Sequence, residues 1–303
     1  MNDPLRPSVL SFGEVLWDQF PGESRFGGAP ANVACHCSLS GAESCLISAV
    51  GADAPGRQAL EILSQYGVDT SGVSVLSEAP TGSVGVRLLE GGKPEFTIHP
   101  GSAWDQIPWV DRFETLLWQS DAIVYGTLGQ RSQVSRQTLT RVLERASQLG
   151  KWRVLDVNLR APFFDDALIE RSVAAASFLK MSDEELPTVA RACGVSQSAG
   201  EEATLRALSE RFELDGIAMT CGAKGAVLLY GTTLFEQSSF PVEVVDTVGA
   251  GDSFTAVLLC SLLRREDPLQ ALRAACQTAS GVCGIRGALP EPKTRTTGGE
   301  PRP

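Results

Sequence analysis

Residues 244–263, VVDTVGAGDSFTAVLLCSLL, constrain the fold more than any other stretch of the chain. The segment opens β-branched and apolar, like the end of a buried strand, and turns through Gly249, Ala250 and Gly251. From Asp252 onward it stays apolar for the length of a core helix. The first N–H groups of such a helix lack intrahelical partners and, with the helix dipole behind them, favour an anion. Glycine lets the backbone approach that anion closely. Asp252 stands where the donors converge, which keeps its carboxylate ionised and able to take a proton from a hydroxyl. Taken alone, GAGD reads as an ordinary turn with Asp252 as a helix N-cap.

The rest of the chain alternates strand and helix. Short apolar runs at 9–13, 45–51, 122–126, 152–157, 178–181 and 215–220 predict strands, and 234–245 predicts a further strand leading into the signature. Helices are predicted over 31–39, 56–65, 109–118 and 268–281. Such alternation predicts an α/β fold, a mostly parallel sheet between helices. Residues 81–98 alternate with period two about Glu90, Gly91, Gly92 and Lys93, which predicts a hairpin in a separate small sheet. The tail 293–303 is rich in Pro, Gly and polar residues and predicts disorder.

A net charge of −10 argues against nucleic acid as a partner. No apolar run reaches transmembrane length and no signal-peptide core stands near Met1, so the expected location is the cytoplasm, with no membrane partner. Eight cysteines include the run Cys35-His36-Cys37, but no second ligand pair follows at zinc spacing, and they read as reduced core residues. Residues 51–57 lack the Lys-Ser/Thr pair of a P-loop.

Polar residues just past strand ends are the candidates for ligand contact. After the first strand come Glu14 and Asp18, then Gly27-Gly28 and Asn32, whose amide offers both donor and acceptor. The alternatives are an exposed turn carboxylate and a local cap. Gln130 and Arg131 follow the strand at 122–126, where ordinary helix N-terminal polarity competes as a reading. Asp156, Asn158 and Arg160 follow the next strand. Arg160 suits a phosphate or carboxylate, or else a loop ion pair with Asp165 or Asp166. Asp183, Glu184 and Glu185 read first as complements to a helix dipole.

The string DTVGAGDSF resembles the C-terminal signature of the ribokinase-like (PfkB) carbohydrate kinases, DTxGAGDxF. GGAPAN resembles the N-terminal signature of its fructokinase-like members, and GTLGQRS at 126–132 points the same way. The resemblance covers residues 9–289. It implies one ribokinase-like kinase domain over 1–292, a Rossmann-like sheet with a small β-sheet lid from about 14–26 and 81–99. It implies Asp252 as catalytic base and Gly249, Ala250 and Gly251 as the anion hole. Asp18, Gly27, Gly28, Asn32 and Arg160 would bind the sugar, and Thr220, Gly222, Gly225 and Lys180 the nucleotide. ATP and Mg²⁺ are implied as cofactors, with Glu185 acting on Mg²⁺ through water. K⁺ near Asp246 and Val248 is a feature of some members. The family pattern N-x-x-E meets Ser182 in place of Asn, which puts that part of the ATP–Mg²⁺ network in question. The implied activity is γ-phosphoryl transfer from ATP to a primary hydroxyl, with D-fructose first and 2-keto-3-deoxygluconate second. A non-catalytic sugar- or nucleotide-binding regulator is the alternative from another class. A homodimer through the lid is also implied.

Overall fold

The structure, a computed structural model, describes residues 6–88 and 94–292; the expected hairpin turn at Glu90–Lys93 and the tail 293–303 lie outside them. Thirteen strands are formed among the described residues. The first seven are β1 (Ser8–Phe12), β2 (Leu16–Phe20), β3 (Glu23–Gly27), β4 (Glu43–Gly51), β5 (Val73–Leu76), β6 (Gly82–Leu88) and β7 (Pro94–Ile98). Then come β8 (Ala122–Tyr125), β9 (Trp152–Asp156), β10 (Phe178–Ser182), β11 (Gly216–Thr220), β12 (Ala226–Tyr230) and β13 (Thr233–Gln237). The helices are α1 (Ala29–Leu39), α2 (Ala54–Gln65), α3 (Arg112–Gln119), α4 (Gln133–Gln148) and α5 (Asp166–Ala175). They continue with α6 (Leu186–Ala192), α7 (Glu201–Phe212), α8 (Ala250–Leu263) and α9 (Pro268–Cys283).

Nine strands form one sheet in the order β13-β12-β11-β10-β9-β8-β1-β4-β5. It is parallel from β5 to β11, and β12 and β13 add on antiparallel. Period-two alternation divides its side chains between two helical layers. Ile123 and Tyr125 of β8, Leu155 of β9 and Leu179 of β10 face one core with residues of α3, α4 and α5. Ala122, Val124, Val154 and Phe178 face the other, against α1, α8 and α9. The expected α/β class is therefore found, with helices on both faces of a mostly parallel sheet. A second sheet, β3-β2-β6-β7, stands apart as the expected small lid sheet; β2 and β6 are parallel, the other pairs antiparallel.

One predicted strand is not formed as expected. The run 234–245 is a strand only to Gln237, and 238–249 is irregular. Val244 and Val245 are 62% and 60% exposed, so the start of the signature is not the end of a buried strand. β13 is the sheet edge, and Pro241 has no N–H to extend a ladder. The backbone N–H groups of Val245 and Asp246 instead donate to the Cys283 carbonyl at the end of α9, at 2.8 and 3.2 Å. The segment is thus tied to a helix and crosses the surface before entering α8.

α8 is apolar nearly all round because it packs between α1 and α9 and on the sheet. Phe254, 1% exposed, is its largest side chain in that core. Phe254→Ala is expected to lower unfolding stability by about 3–5 kcal/mol. Urea denaturation should read this as a lower midpoint with an unchanged slope.

Candidate active site

Strand order reverses at β1, with β4 and β5 on one side and β8 to β11 on the other. In an open parallel sheet, that reversal leaves a crevice at the C-terminal strand ends. Glu14 after β1, Thr127 after β8, Asp156 and Asn158 at the end of β9, and Pro30 of α1 line a small cavity there.

α8 aims its N-terminus at the same place. Gly249 is its N-cap with φ 78°, and a Cβ there would lie 2.5 Å from the Ala288 Cβ, so the turn requires glycine. His36 of α1 lies with Nε2 2.9 Å from the Ala288 carbonyl, to which it donates. Burial holds this imidazole below its usual pKa, hence neutral. A core histidine therefore braces the loop that packs on Gly249. Asp252 is the third residue of α8 and makes no cap hydrogen bond, so it is not the N-cap.

The Asp252 carboxylate accepts a hydrogen bond from Asn32 Nδ2 at 2.8 Å. Its pKa is pushed up to about 6, chiefly by burial and then by the Asp156 carboxylate; Asn32, Lys180 and Arg160 pull the other way. The donors around it thus offset only part of the burial, less than the sequence led us to expect. Lys180 of β10 is buried, with Nζ 3.0 Å from Asp156 Oδ1, and a Cβ on Gly251 would lie 3.1 Å from that nitrogen. Burial disfavours the ammonium, but Asp156, Glu185 and Asp252 outweigh it and its pKa rises. Thr255 Oγ1 donates to the second Asp156 oxygen at 2.8 Å. Lys180 therefore brings a fixed positive charge to the N-terminus of α8.

The second sheet contributes Asp18. Asp18 of β2 lies with Oδ2 against Gly27, where a Cβ would sit 2.9 Å from that oxygen. Its pKa is pushed up to about 6 by burial, with Arg25 and Arg160 opposing and Asp246 adding. Gly28, with φ 110°, caps α1, and a Cβ there would strike the Glu14 carbonyl at 2.4 Å. Asn32 Oδ1 is buried with no hydrogen-bond partner among the described residues. Arg160 is exposed, donates among the described residues only to its neighbour's carbonyl, Leu159 O, and lowers the pKa values of Glu14, Asp18 and Asp252. The ion pair with Asp165 or Asp166 is not formed: Asp165 caps α5 and Asp166 pairs with Arg191.

On the far side of Lys180, Glu185 Oε1 accepts from Leu159 N at 2.7 Å, and Oε2 accepts from Ser182 N at 2.8 Å and Ser182 Oγ at 3.2 Å. The serine at the asparagine position thus binds the glutamate directly. Among the described residues no group of three or more His, Cys, Asp or Glu could hold a metal. Both Glu185 oxygens already accept N–H or O–H donors, so this carboxylate would reach a magnesium ion through water. Thr220 ends β11 beside Ser182, and Gly222 and Gly225 take φ 52° and 109° in the following turn. A Cβ at Gly225 would lie 2.0 Å from Gln237 O, so this glycine is needed by the β11–β12 turn itself.

Three sequence expectations change. Asp246 does not fit a monovalent cation site with Val248. Its Oδ1 accepts from Val248 N at 3.1 Å, and its Oδ2 accepts from Gly287 N at 3.1 Å and Arg25 Nη1 at 3.3 Å, so a guanidinium already brings positive charge to this carboxylate. Gln130 and Arg131 do not face a ligand. Gln130 Nε2 donates to Gly126 O and Ser172 Oγ, and Arg131 pairs with Asp105 at 2.7 Å and stacks on Trp104. Glu14 is no exposed turn carboxylate. It is 4% exposed with Oε2 unpartnered among the described residues, and its pKa reaches about 7, mainly through burial. The sequence showed Glu14 only as an acid past a strand. Arg25 and His36 carried no signal of a site role.

The pfkB family carbohydrate kinase profile matches residues 1–294. The chain is 29% identical to probable fructokinase-5 of Arabidopsis thaliana over 94% of each protein. It is 30% identical to the putative sugar kinase PH1459 of Pyrococcus horikoshii, over 94% of this chain and 93% of that one. The crystal structure of PH1459 in complex with ATP superposes with a TM-score of 0.78, covering 92% of this chain and 93% of the other at 30% identity. Aminoimidazole riboside kinase of Salmonella typhimurium is 29% identical over 85% of this chain and 80% of its own length. A mostly parallel sheet with a side lid, a helix N-terminus aimed at its switch point and a family match along nearly the whole chain lead to one assignment: this is a phosphotransferase of the pfkB carbohydrate kinase family.

Proposed function

We propose that the protein transfers the γ-phosphoryl group of ATP to a primary hydroxyl of a sugar, D-fructose before others. The observation that carries this reading is Asp252, half-buried at the start of α8 behind Gly249, Ala250 and Gly251 and hydrogen-bonded by Asn32. The fructokinase relatives and GGAPAN support the choice of fructose, and the riboside kinase relative shows that the acceptor varies among similar chains.

In this mechanism Asp252 accepts the hydroxyl proton as the sugar oxygen bonds to the γ-phosphorus. The bond from that phosphorus to the bridging oxygen breaks, and ADP leaves with the electron pair. In this reading the N–H groups of Gly249, Ala250 and Gly251 and the Lys180 ammonium meet the charge that spreads over the transferred oxygens, the Ala250 N–H giving up its 3.4 Å contact with Thr247 O. Glu185, held by Ser182, would act on Mg²⁺ through water, and the ion would supply further neutralisation of the phosphates. Asp18 and Asn32 Oδ1 accept sugar hydroxyls, and Glu14 holds a proton near neutral pH that it can donate to one. Thr220, Gly222 and Gly225 border the nucleotide. The lid excludes water, which suppresses hydrolysis of ATP.

Arg160 favours a second acceptor, 2-keto-3-deoxygluconate, because its exposed guanidinium has no carboxylate partner among the described residues. A homodimer through the lid sheet belongs to the same family reading. A coupled ADP-release assay with ATP–Mg²⁺ tests the acceptors side by side. Fructose is expected to outpace 2-keto-3-deoxygluconate, ribose and adenosine. Silence on every sugar with ATP still bound would favour a binding protein.

Asp252→Asn should bind ATP and sugar but turn over about a hundredfold or more slowly; near-normal turnover would remove Asp252 as base. With a base that titrates at about 6, kcat/KM should climb with pH up to about 6 and level off above it. The linked stability runs in the opposite direction. A carboxyl whose folded pKa is raised stabilises the fold fully below its ordinary 3.8, and that contribution is lost as pH rises through about 6. Asp252→Asn is therefore expected to be more stable than the parent at pH 8 by about 2–3 kcal/mol. The gain should shrink at pH 5; urea titrations at the two pH values check it.

A further inference from the structure

Arg25 sits on lid strand β3, opposite Asp18 in the β2–β3 register. Its guanidinium lies 4.2 Å from the centre of the Phe20 ring, pairs with Glu23, and reaches Asp246 Oδ2 at 3.3 Å. Glu23 also binds Arg286, past the end of α9, at 3.0 Å. Asp246 in turn holds Val248 N, next to the N-cap glycine of α8, and Gly287 N, next to the alanine that packs on that glycine. One carboxylate thus joins three segments: the lid, the approach to the anion hole and the loop behind it. The lid contributes the only charged donor of the three. Both groups are mostly shielded, Arg25 at 23% and Asp246 at 18% side-chain exposure, so solvent screens the pair less than a free surface bridge.

We propose that Arg25 is a positioning residue whose guanidinium serves as the resident cation of Asp246, so that closing the lid over the acceptor also sets the anion hole. Withdrawing the lid removes the positive charge from Asp246 and frees the turn that Asp246 holds. An exchangeable monovalent cation is not needed at this carboxylate, because the Arg25 guanidinium already supplies its positive charge. Acceptor binding and phosphoryl transfer are thereby coupled through a contact 221 residues apart in the chain.

The inference rests on the kinase reading of the cleft, and its test has one arm that requires turnover and one that does not. With ATP–Mg²⁺ and fructose, the unmodified full chain should work within about twofold equally in KCl and in N-methyl-D-glucamine chloride of the same ionic strength. Arg25→Ala should lose about tenfold in kcat. Arg25→Lys should recover part of it, and KCl should restore activity to Arg25→Ala alone. Hydrogen exchange without substrates should show faster exchange in residues 16–27 of Arg25→Ala, with the nine-stranded sheet unchanged. Activation of the unmodified chain by K⁺ well beyond twofold, or an Arg25→Ala variant that turns over and exchanges like the parent, would overturn the proposal. A chain silent on fructose whose Arg25→Ala variant still loosens 16–27 would discard the acceptor and leave the latch standing.

Discussion

The cleft is organised by N–H groups that helix geometry leaves without intrahelical partners at the start of α8. Those donors and the dipole behind them need an anion or water, and the fold aims them at a crevice where three strand ends converge. Everything near them serves to hold that end in place. Gly249 allows the backbone to meet Ala288, His36 braces Ala288 from α1, and Asp246 ties the turn to Gly287. Packing alone would make α8 a core helix; the glycine turn gives it an exposed, chemically useful end.

Charge in the cleft is balanced unevenly. Asp156 and Glu14 are buried, and Asp252 half-buried, near one buried ammonium, Lys180, and an arginine at the rim. Asp156 is fully engaged, with one oxygen on Lys180 and one on Thr255. Asp252 has one amide donor and Glu14 an unpartnered oxygen among the described residues, and burial raises the pKa of each. A buried carboxylate without a full set of donors costs stability and gains basicity. Structural and reactive acids are thus separated by their hydrogen bonds, although all lie within the same few strand ends.

Much of this was legible in the sequence, and particular residues show why. Alternating apolar residues in β8 to β11 serve two cores, so their pattern marks strands whatever surrounds them. GAGD opening a helix of fourteen residues marks the helix and its acid. Val244 and Val245 misled because β-branched residues suggest a strand, whereas the sheet edge and the Cys283 carbonyl decide their conformation. Glu14 was visible as an acid but not as a buried one, since α1 and the Gly28 turn bury it.

The sequence by itself determined the α/β class, the strand-to-helix units and the residue types at their ends, because these depend on local periodicity and on glycine. Only the tertiary structure decided which of those ends meet. Asn32 reaches Asp252 across 220 residues and Arg25 reaches Asp246 across 221. No local pattern encodes such pairs, because they arise from the order in which the strands join the sheet and from the lid folding back over it. Burial, the main cause of the shifts at Asp252 and Glu14, is likewise a property of the packed molecule.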